Sequence, residues 1–167
     1  ANLIDCSVTS NYRHGVQVAG SDSLLSLDRT SVSNNGEAGM QAIEQSTCSS
    51  RESCFLANRA EGLKVDGMHT ELQIQGGRIA GNNKQGVHVT GGSLVTMQDI
   101  EVANNNNSNP LVQVKIVGSQ TRLECVDCSV GKWKSSQYVL CSNGGRGRMD
   151  WLQRDKRTFN QGPQGSE

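Results

Sequence analysis

The sequence predicts an all-β solenoid of about six turns, built from short parallel strands. Three observations predict it: a repeat of 23 or 24 residues, strand-like alternation within each repeat, and a shortage of large aromatic side chains. The chain has 167 residues, 34% hydrophobic and only 4% aromatic, against 19 glycines, 14 asparagines and 19 serines. Such a length fits one domain. The composition cannot build a core around Phe, Tyr and Trp, yet it is not that of a disordered chain. There are two prolines, sixteen basic residues balance sixteen acidic ones, and Val, Ile and Leu recur at regular intervals. A net charge of zero argues against a dedicated nucleic-acid binder. No apolar run approaches the roughly 18 residues of a membrane span. Residues Ala1 to Asp5 show neither the basic nor the apolar region of a secretion signal.

The repeat is carried by columns. An apolar residue stands at Val8, Val32, Phe55, Ile79 and Val102, in steps of 24, 23, 24 and 23. Three residues later come Asn11, Asn35, Asn58, Asn82 and Asn105, and four further on Gly15, Gly39, Gly62 and Gly86. Behind each glycine runs an alternating pair of apolar columns, Val16, Met40, Leu63 and Val87, then Val18, Ala42, Val65 and Val89. Ahead of the first column lie Leu25, Cys48, Leu72 and Val95, then Leu27, Ile74 and Met97. Each unit thus holds three short strands, in the second unit near Leu25–Leu27, Thr30–Val32 and Gly39–Ala42. No single strand can bury its apolar side alone. Stacking unit on unit at about 4.8 Å turns the columns into thin aliphatic ladders, so few aromatics are needed. The asparagines suit a bend, where Asn tolerates left-handed backbone, and their amides can hydrogen-bond along the stack. The glycines suit positions where a Cβ would clash or φ is positive.

These columns resemble the right-handed parallel β-helix, the pectin-lyase-like architecture, and in particular the short repeats of the carbohydrate-binding and sugar-hydrolase type. The resemblance covers about residues 1–145. It implies a right-handed, single-stranded parallel β-helix, with handedness supported by the crossover rule. The same repeats occur in sugar-processing enzymes and in non-enzymatic scaffolds, so fold and activity separate.

The fifth and sixth turns depart from the pattern. Asn104–Pro110 is inserted where the glycine should stand, ahead of an alternating strand over 111–117. Leu123, Cys125, Cys128 and Val130 re-enter the inward columns 28 residues after their counterparts, and a third strand is expected over 137–141. The columns stop after Asn143. The expected division is therefore a β-helix over 1–143 and an irregular tail over 144–167, with five basic and three acidic residues and with Trp151 and Phe159. Leu3 already lies on a ladder strand, so the first rung needs a cover. Tail residues Arg146, Arg148, Trp151, Arg154 and Phe159 either cap the other end or dock on a partner.

Three sets of side chains could carry chemistry. Cys125 and Cys128 form a CxxC with Cys141 thirteen residues on; both fall on inward columns, which favours buried ladder thiols over a disulfide, a redox pair or a zinc site. Cys54 falls on an outward column, near Cys48. One outward column reads Asp5, Arg29, Glu52, Gly76, Asp99 and Asp127. Its first half suggests cross-rung ion pairs. Its second half brings Asp99 near Asp127, Glu101 and Glu124, a place for a shared proton or a cation. Lyases of the resembled family use acidic clusters with calcium and a basic residue, so the resemblance implies Asp99, Glu101 and Asp127 with Lys64 or Arg78 as the enzymatic alternative. A solvated acidic face is the simpler expectation. Finally, Gln17, Gln41, Lys64 and His88 form a polar strip on the third strand, continued by Gln113 or Lys115. It could read a glycan, though it has no aromatic platform beyond the neighbouring Tyr12. The expectation is a non-catalytic structural or interaction module within a larger assembly of protein chains, needing no cofactor or metal. A polysaccharide-active enzyme or a glycan-binding module is the alternative, and only the enzyme would call for calcium.

Overall fold

The computed structural model describes residues 1–106, 112–131, 139–150 and 156–160. Strands β1 (Asn2–Ile4), β4 (Leu24–Asp28), β7 (Thr47–Leu56), β9 (Glu71–Ala80), β11 (Leu94–Gln98), β14 (Arg122–Val126) and β17 (Arg146–Asp150) stack in parallel along sheet A. Shorter strands β2 (Ser7–Thr9), β5 (Ser31–Ser33), β12 (Glu101–Ala103) and β15 (Ser129–Val130) belong to the same sheet beyond a bend, which β7 and β9 cross without a break. Sheet B has six parallel strands, β3 (Val16–Ala19), β6 (Met40–Ile43), β8 (Leu63–Asp66), β10 (Val87–Thr90), β13 (Val114–Val117) and β16 (Val139–Ser142). Six turns of a β-solenoid result, and the register is that of the sequence columns: Leu3 pairs with Leu27, Val32 with Phe55, Val16 with Met40 and Val95 with Leu123.

The core is the space between the two sheets. Leu27, Val32, Phe55, Leu63, Ile79, Val87, Met97 and Ile116 are fully enclosed there. One apolar column has a gap. Ser50 sits between Leu27 and Ile74, and its hydroxyl is buried without a hydrogen-bond partner.

Two sharp bends give the coil its corners. Asp5, Arg29, Glu52, Gly76, Asp99 and Asp127 all have φ between 47° and 69°. A second column, Ser10, Asn34, Ala57, Gly81, Asn104 and Gly131, has φ between 52° and 75°. The left-handed residue thus stands one place ahead of each ladder asparagine. This corrects the expectation that the ladder asparagines themselves supply the left-handed bend.

Their role is the hydrogen-bonded stack. The Nδ2 amide of Asn35 donates to Asn58 Oδ1 at 2.9 Å, Asn58 to Asn82 Oδ1 at 2.9 Å and Asn82 to Asn105 Oδ1 at 2.8 Å. The same acceptors take the backbone N–H of Asn35, Asn58 and Asn82. The glycine column follows from this packing. A Cβ on Gly62 would lie 2.5 Å from Ile79 Cγ2 and 2.8 Å from Asn82 Nδ2, the amide of the next rung. Glycine is needed there for space, with no positive φ involved.

Gln113 explains why both columns end in the fifth turn. It occupies the glycine column, since the Val87 N–H donates to its carbonyl as Val16 does to that of Gly39. Its side chain fills the place of the next asparagine, and Oε1 accepts from the backbone N–H and Nδ2 of Asn105 at 2.8 and 3.0 Å. Gln113 therefore caps the ladder, and Lys115 pairs with His88 as the next residue of the strip.

The stack runs past Asn143, where the sequence columns stop. β17 lies parallel on β14, with Leu123 beside Gly147 and Cys125 beside Met149. A glycine at a core position leaves no apolar signal, so this rung is hidden in the sequence. β18 (Lys156–Asn160) then pairs antiparallel with β17.

Candidate functional site

Side chains alternate across a strand, so the outward positions of sheet B form straight files one rung apart. Gln17 pairs with Gln41, Gln41 with Lys64, Lys64 with His88 and His88 with Lys115. The structure therefore brings the whole predicted strip together in one file. Asp66 and Thr90 stand beside it in the adjoining file and are hydrogen-bonded to each other.

The strip has a centre that sequence reasoning missed. Glu61 is only 7% exposed and sits one residue before Gly62, where a polar chain of the strip's edge turns into sheet B. Its Oε1 lies 3.3 Å from Lys84 Nζ and 4.0 Å from His88 Nδ1. The position one residue ahead of each column glycine also holds His14, so a titratable residue there was the available signal. Burial pushes the His88 imidazole below its usual range, and Lys115 adds to this, while Glu61 opposes it. The Nδ1 atom of His88 is buried without a hydrogen-bond partner. Gln17, Gln41, Lys64 and Lys115 make no side-chain hydrogen bond or ion pair with any described residue, so their polar groups face outward uncommitted.

The acidic column looks different. Asp99 donates its backbone N–H to the carbonyl of Val126, which sets Asp99 and Asp127 on neighbouring rungs. Both occupy the left-handed bend, a conformation that Asp tolerates better than most residues, so the backbone alone accounts for their type. Glu101 is held by Arg78 at 3.1 Å. Lys64 lies on sheet B and does not join this group. At the other end of the column, Arg29 clasps Asp5 at 2.7 and 2.8 Å, and Asp28 bridges Arg29 and Arg51. Asp5–Arg29 is a cross-rung pair of the predicted column, whereas Arg29 forms no ion pair with Glu52 and turns instead to Asp28; the Arg29 hydrogen bond holds Asp5 below the usual carboxylate range. Among the described residues no three His, Cys, Asp or Glu side chains are grouped to hold a metal. Among the described residues, no helix is long and apolar enough to cross a membrane.

A family model for the right-handed β-helix region matches residues 1–145. The chain belongs to the right-handed β-helix family. No curated protein and no solved structure matches it.

Within this right-handed β-helix, the cysteines resolve into distinct roles. Cys125 and Cys128 are joined in a disulfide, which corrects the preference for free ladder thiols there. The inward placement itself holds, since both are buried and Cys125 continues the column of Met97. The bond spans the left-handed corner at Asp127. Cys48 is a buried free thiol pushed up to about 11 by burial, Cys141 is also buried and free, and Cys54 is a partly exposed free thiol. Of the tail residues, Arg146 and Arg148 lie on β17 with exposed side chains, and Phe159 lies on β18 opposite Gly147. Trp151 and Arg154 fall outside the described residues.

Proposed function

We propose that this right-handed β-helix is a non-catalytic interaction module whose rigid coil presents the outward file of sheet B to a partner chain in a larger assembly. The observation that carries this reading is the contrast between faces. On sheet A, several charged side chains are engaged from rung to rung, as in Asp5–Arg29, Asp28–Arg51 and Arg78–Glu101. On sheet B, Gln17, Gln41, Lys64 and Lys115 are held in register with uncommitted polar groups. A ladder fixed by backbone hydrogen bonds loses little freedom on binding, which favours a pre-organised docking face. The exposed basic side chain of Arg146 extends the same reading to the C-terminal rung.

The test compares faces. Gln41→Ala combined with Lys64→Ala is expected to abolish co-purification of the native partner while leaving the melting temperature unchanged. Asp99→Asn combined with Asp127→Asn is expected to leave partner binding intact. Cleavage of a uronic-acid polymer by the wild-type chain, lost in Asp99→Asn, would overturn the proposal in favour of the enzymatic alternative. Saturable binding of one glycan, lost in the Gln41 and Lys64 variant, would replace the protein partner with a polysaccharide.

A further inference from the structure

Asparagine is a chemically labile side chain, and it is most labile before glycine, where no Cβ hinders the following backbone nitrogen. The chain has two such pairs, Asn35-Gly36 and Asn143-Gly144. The fold treats them in opposite ways.

Asn35 belongs to the ladder and is fully buried. Its Nδ2 donates to the Val8 carbonyl at 3.3 Å and to Asn58 Oδ1 at 2.9 Å, and its Oδ1 accepts from the backbone N–H and Nδ2 of Asn11. The Gly36 N–H donates to the Asn11 carbonyl at 2.8 Å. The amide and the nitrogen that could attack it are therefore both held in place, away from water.

Asn143 lies outside the ladder, in the exposed turn between β16 and β17. Asn143 and Gly144 have φ of 52° and 79°, and the Gly145 N–H donates to the Ser142 carbonyl at 3.0 Å. Positive φ at both central residues is the mark of a type I′ turn, which favours Asn-Gly. Neither the Asn143 side-chain amide nor the Gly144 N–H is hydrogen-bonded to a described residue. Both face solvent, so the reaction needs only a rotation within a surface turn.

We propose that Asn143 is a site of spontaneous covalent modification, converted to aspartate and isoaspartate through a cyclic imide with Gly144, and that the ladder shields Asn35 from the same reaction. The Gly144 nitrogen attacks Asn143 Cγ and bonds to it. The Cγ–Nδ2 bond breaks, and ammonia leaves with the proton that the Gly144 nitrogen gives up. Water then opens the ring. Cleavage of the new N–Cγ bond yields aspartate. Cleavage of the original peptide bond yields isoaspartate, with the backbone routed through Cβ and Cγ. No oxidant, cofactor or enzyme is consumed. Either product puts a carboxylate in place of a neutral amide, and isoaspartate also lengthens the main chain. The change falls where β17 begins: Gly145 is buried, with no room for a Cβ beside the Ile116 carbonyl, and the Arg146 N–H donates to the Thr121 carbonyl at 3.1 Å.

The experiment incubates the intact chain at pH 8, folded and in urea, and follows both Asn-Gly peptides by liquid chromatography and mass spectrometry. In the folded chain the peptide holding Asn143 is expected to gain about one mass unit, the exchange of an amide for an acid, and to split into two separately eluting products. The peptide holding Asn35 is expected to stay unchanged. In urea both peptides are expected to convert. Asn143→Gln, whose longer side chain closes the ring far more slowly, is expected to abolish the change in the folded chain. Persistence of Asn143 in the folded chain would overturn the site. Conversion of Asn35 as fast as Asn143 in the folded chain, or its persistence in urea, would overturn the shielding by the ladder.

Discussion

At the scale of single residues, the interior separates polar groups that are satisfied from those that are not. Ser50 interrupts an aliphatic column, and its hydroxyl finds no partner. An unsatisfied buried hydroxyl costs free energy that its removal recovers. Ser50→Ala is therefore expected to stabilise the chain by about 1 kcal/mol, read as a higher urea midpoint. His14 is the converse. Its Nδ1 accepts the Ala38 N–H at 3.2 Å, and its Nε2 lies 2.8 Å from Glu37. Both contacts are met by the neutral ring with its proton on Nε2, and a second proton on Nδ1 breaks the bond from Ala38. Burial lowers the His14 pKa, although Glu37 opposes this, and His88 is lowered as well. A lowered folded-state pKa means that the unfolded chain binds protons more readily. Stability is then complete above the unfolded value of about 6.5 and declines as pH falls through it. Melting temperatures measured from pH 8 to pH 5 should drop across that window, and His14→Gln combined with His88→Gln should flatten the drop.

At the scale of elements, the asparagine ladder is the main polar structure of the core. Asn58 takes part in four bonds that matter here: its Oδ1 accepts from Asn35 N–H and Nδ2, and its Nδ2 donates to Val32 O and Asn82 Oδ1. Replacing it by alanine strands several buried groups at once. The expected loss is about 3 kcal/mol for Asn58→Ala by chemical denaturation, against well under half of that for the exposed ladder end in Asn11→Ala. Equal effects at the two positions would show that the ladder does not act through burial. Much of this was legible in the sequence, because columns in phase over several repeats identify inward positions directly. The termination was not. Gln113 reads as the next member of an outward strip, and only the backbone register places it in the glycine column with its amide in the asparagine slot. A second ladder was also invisible. Ser46, Thr70, Ser93 and Thr121 are buried hydroxyls at the remaining corner, bonded to carbonyls of their own or the preceding rung. Serine and threonine there look like ordinary turn residues.

At the scale of the whole molecule, stability in a coil of stacked turns is a sum of nearest-neighbour contacts. Middle rungs have neighbours on both sides, and Val65 and Val89 are completely enclosed. Leu3, Val8 and Val16 of the first rung are only partly buried against the core. Hydrogen exchange on this chain should therefore be slowest for the amides of β8 and β10 and at least tenfold faster in β1 and β2. Uniform protection along the coil would point to a single cooperative unit instead. The same stiffness underlies the proposed function, since a file of side chains kept at rung spacing serves as a docking face only if the rungs do not slip.

By itself the sequence determined the coil: the repeat length, the inward columns and the strand positions all follow from periodicity, which a stacked fold writes into the chain because equivalent residues meet equivalent neighbours. It also located the polar strip, since alternation alone separates outward from inward. Tertiary structure decided what periodicity cannot express. It paired Glu61 with His88 and Lys84, closed the Cys125–Cys128 bond, and showed the acidic column to be a column of left-handed corners. Those outcomes depend on distances between side chains on neighbouring turns, and such distances exist only once the turns have stacked.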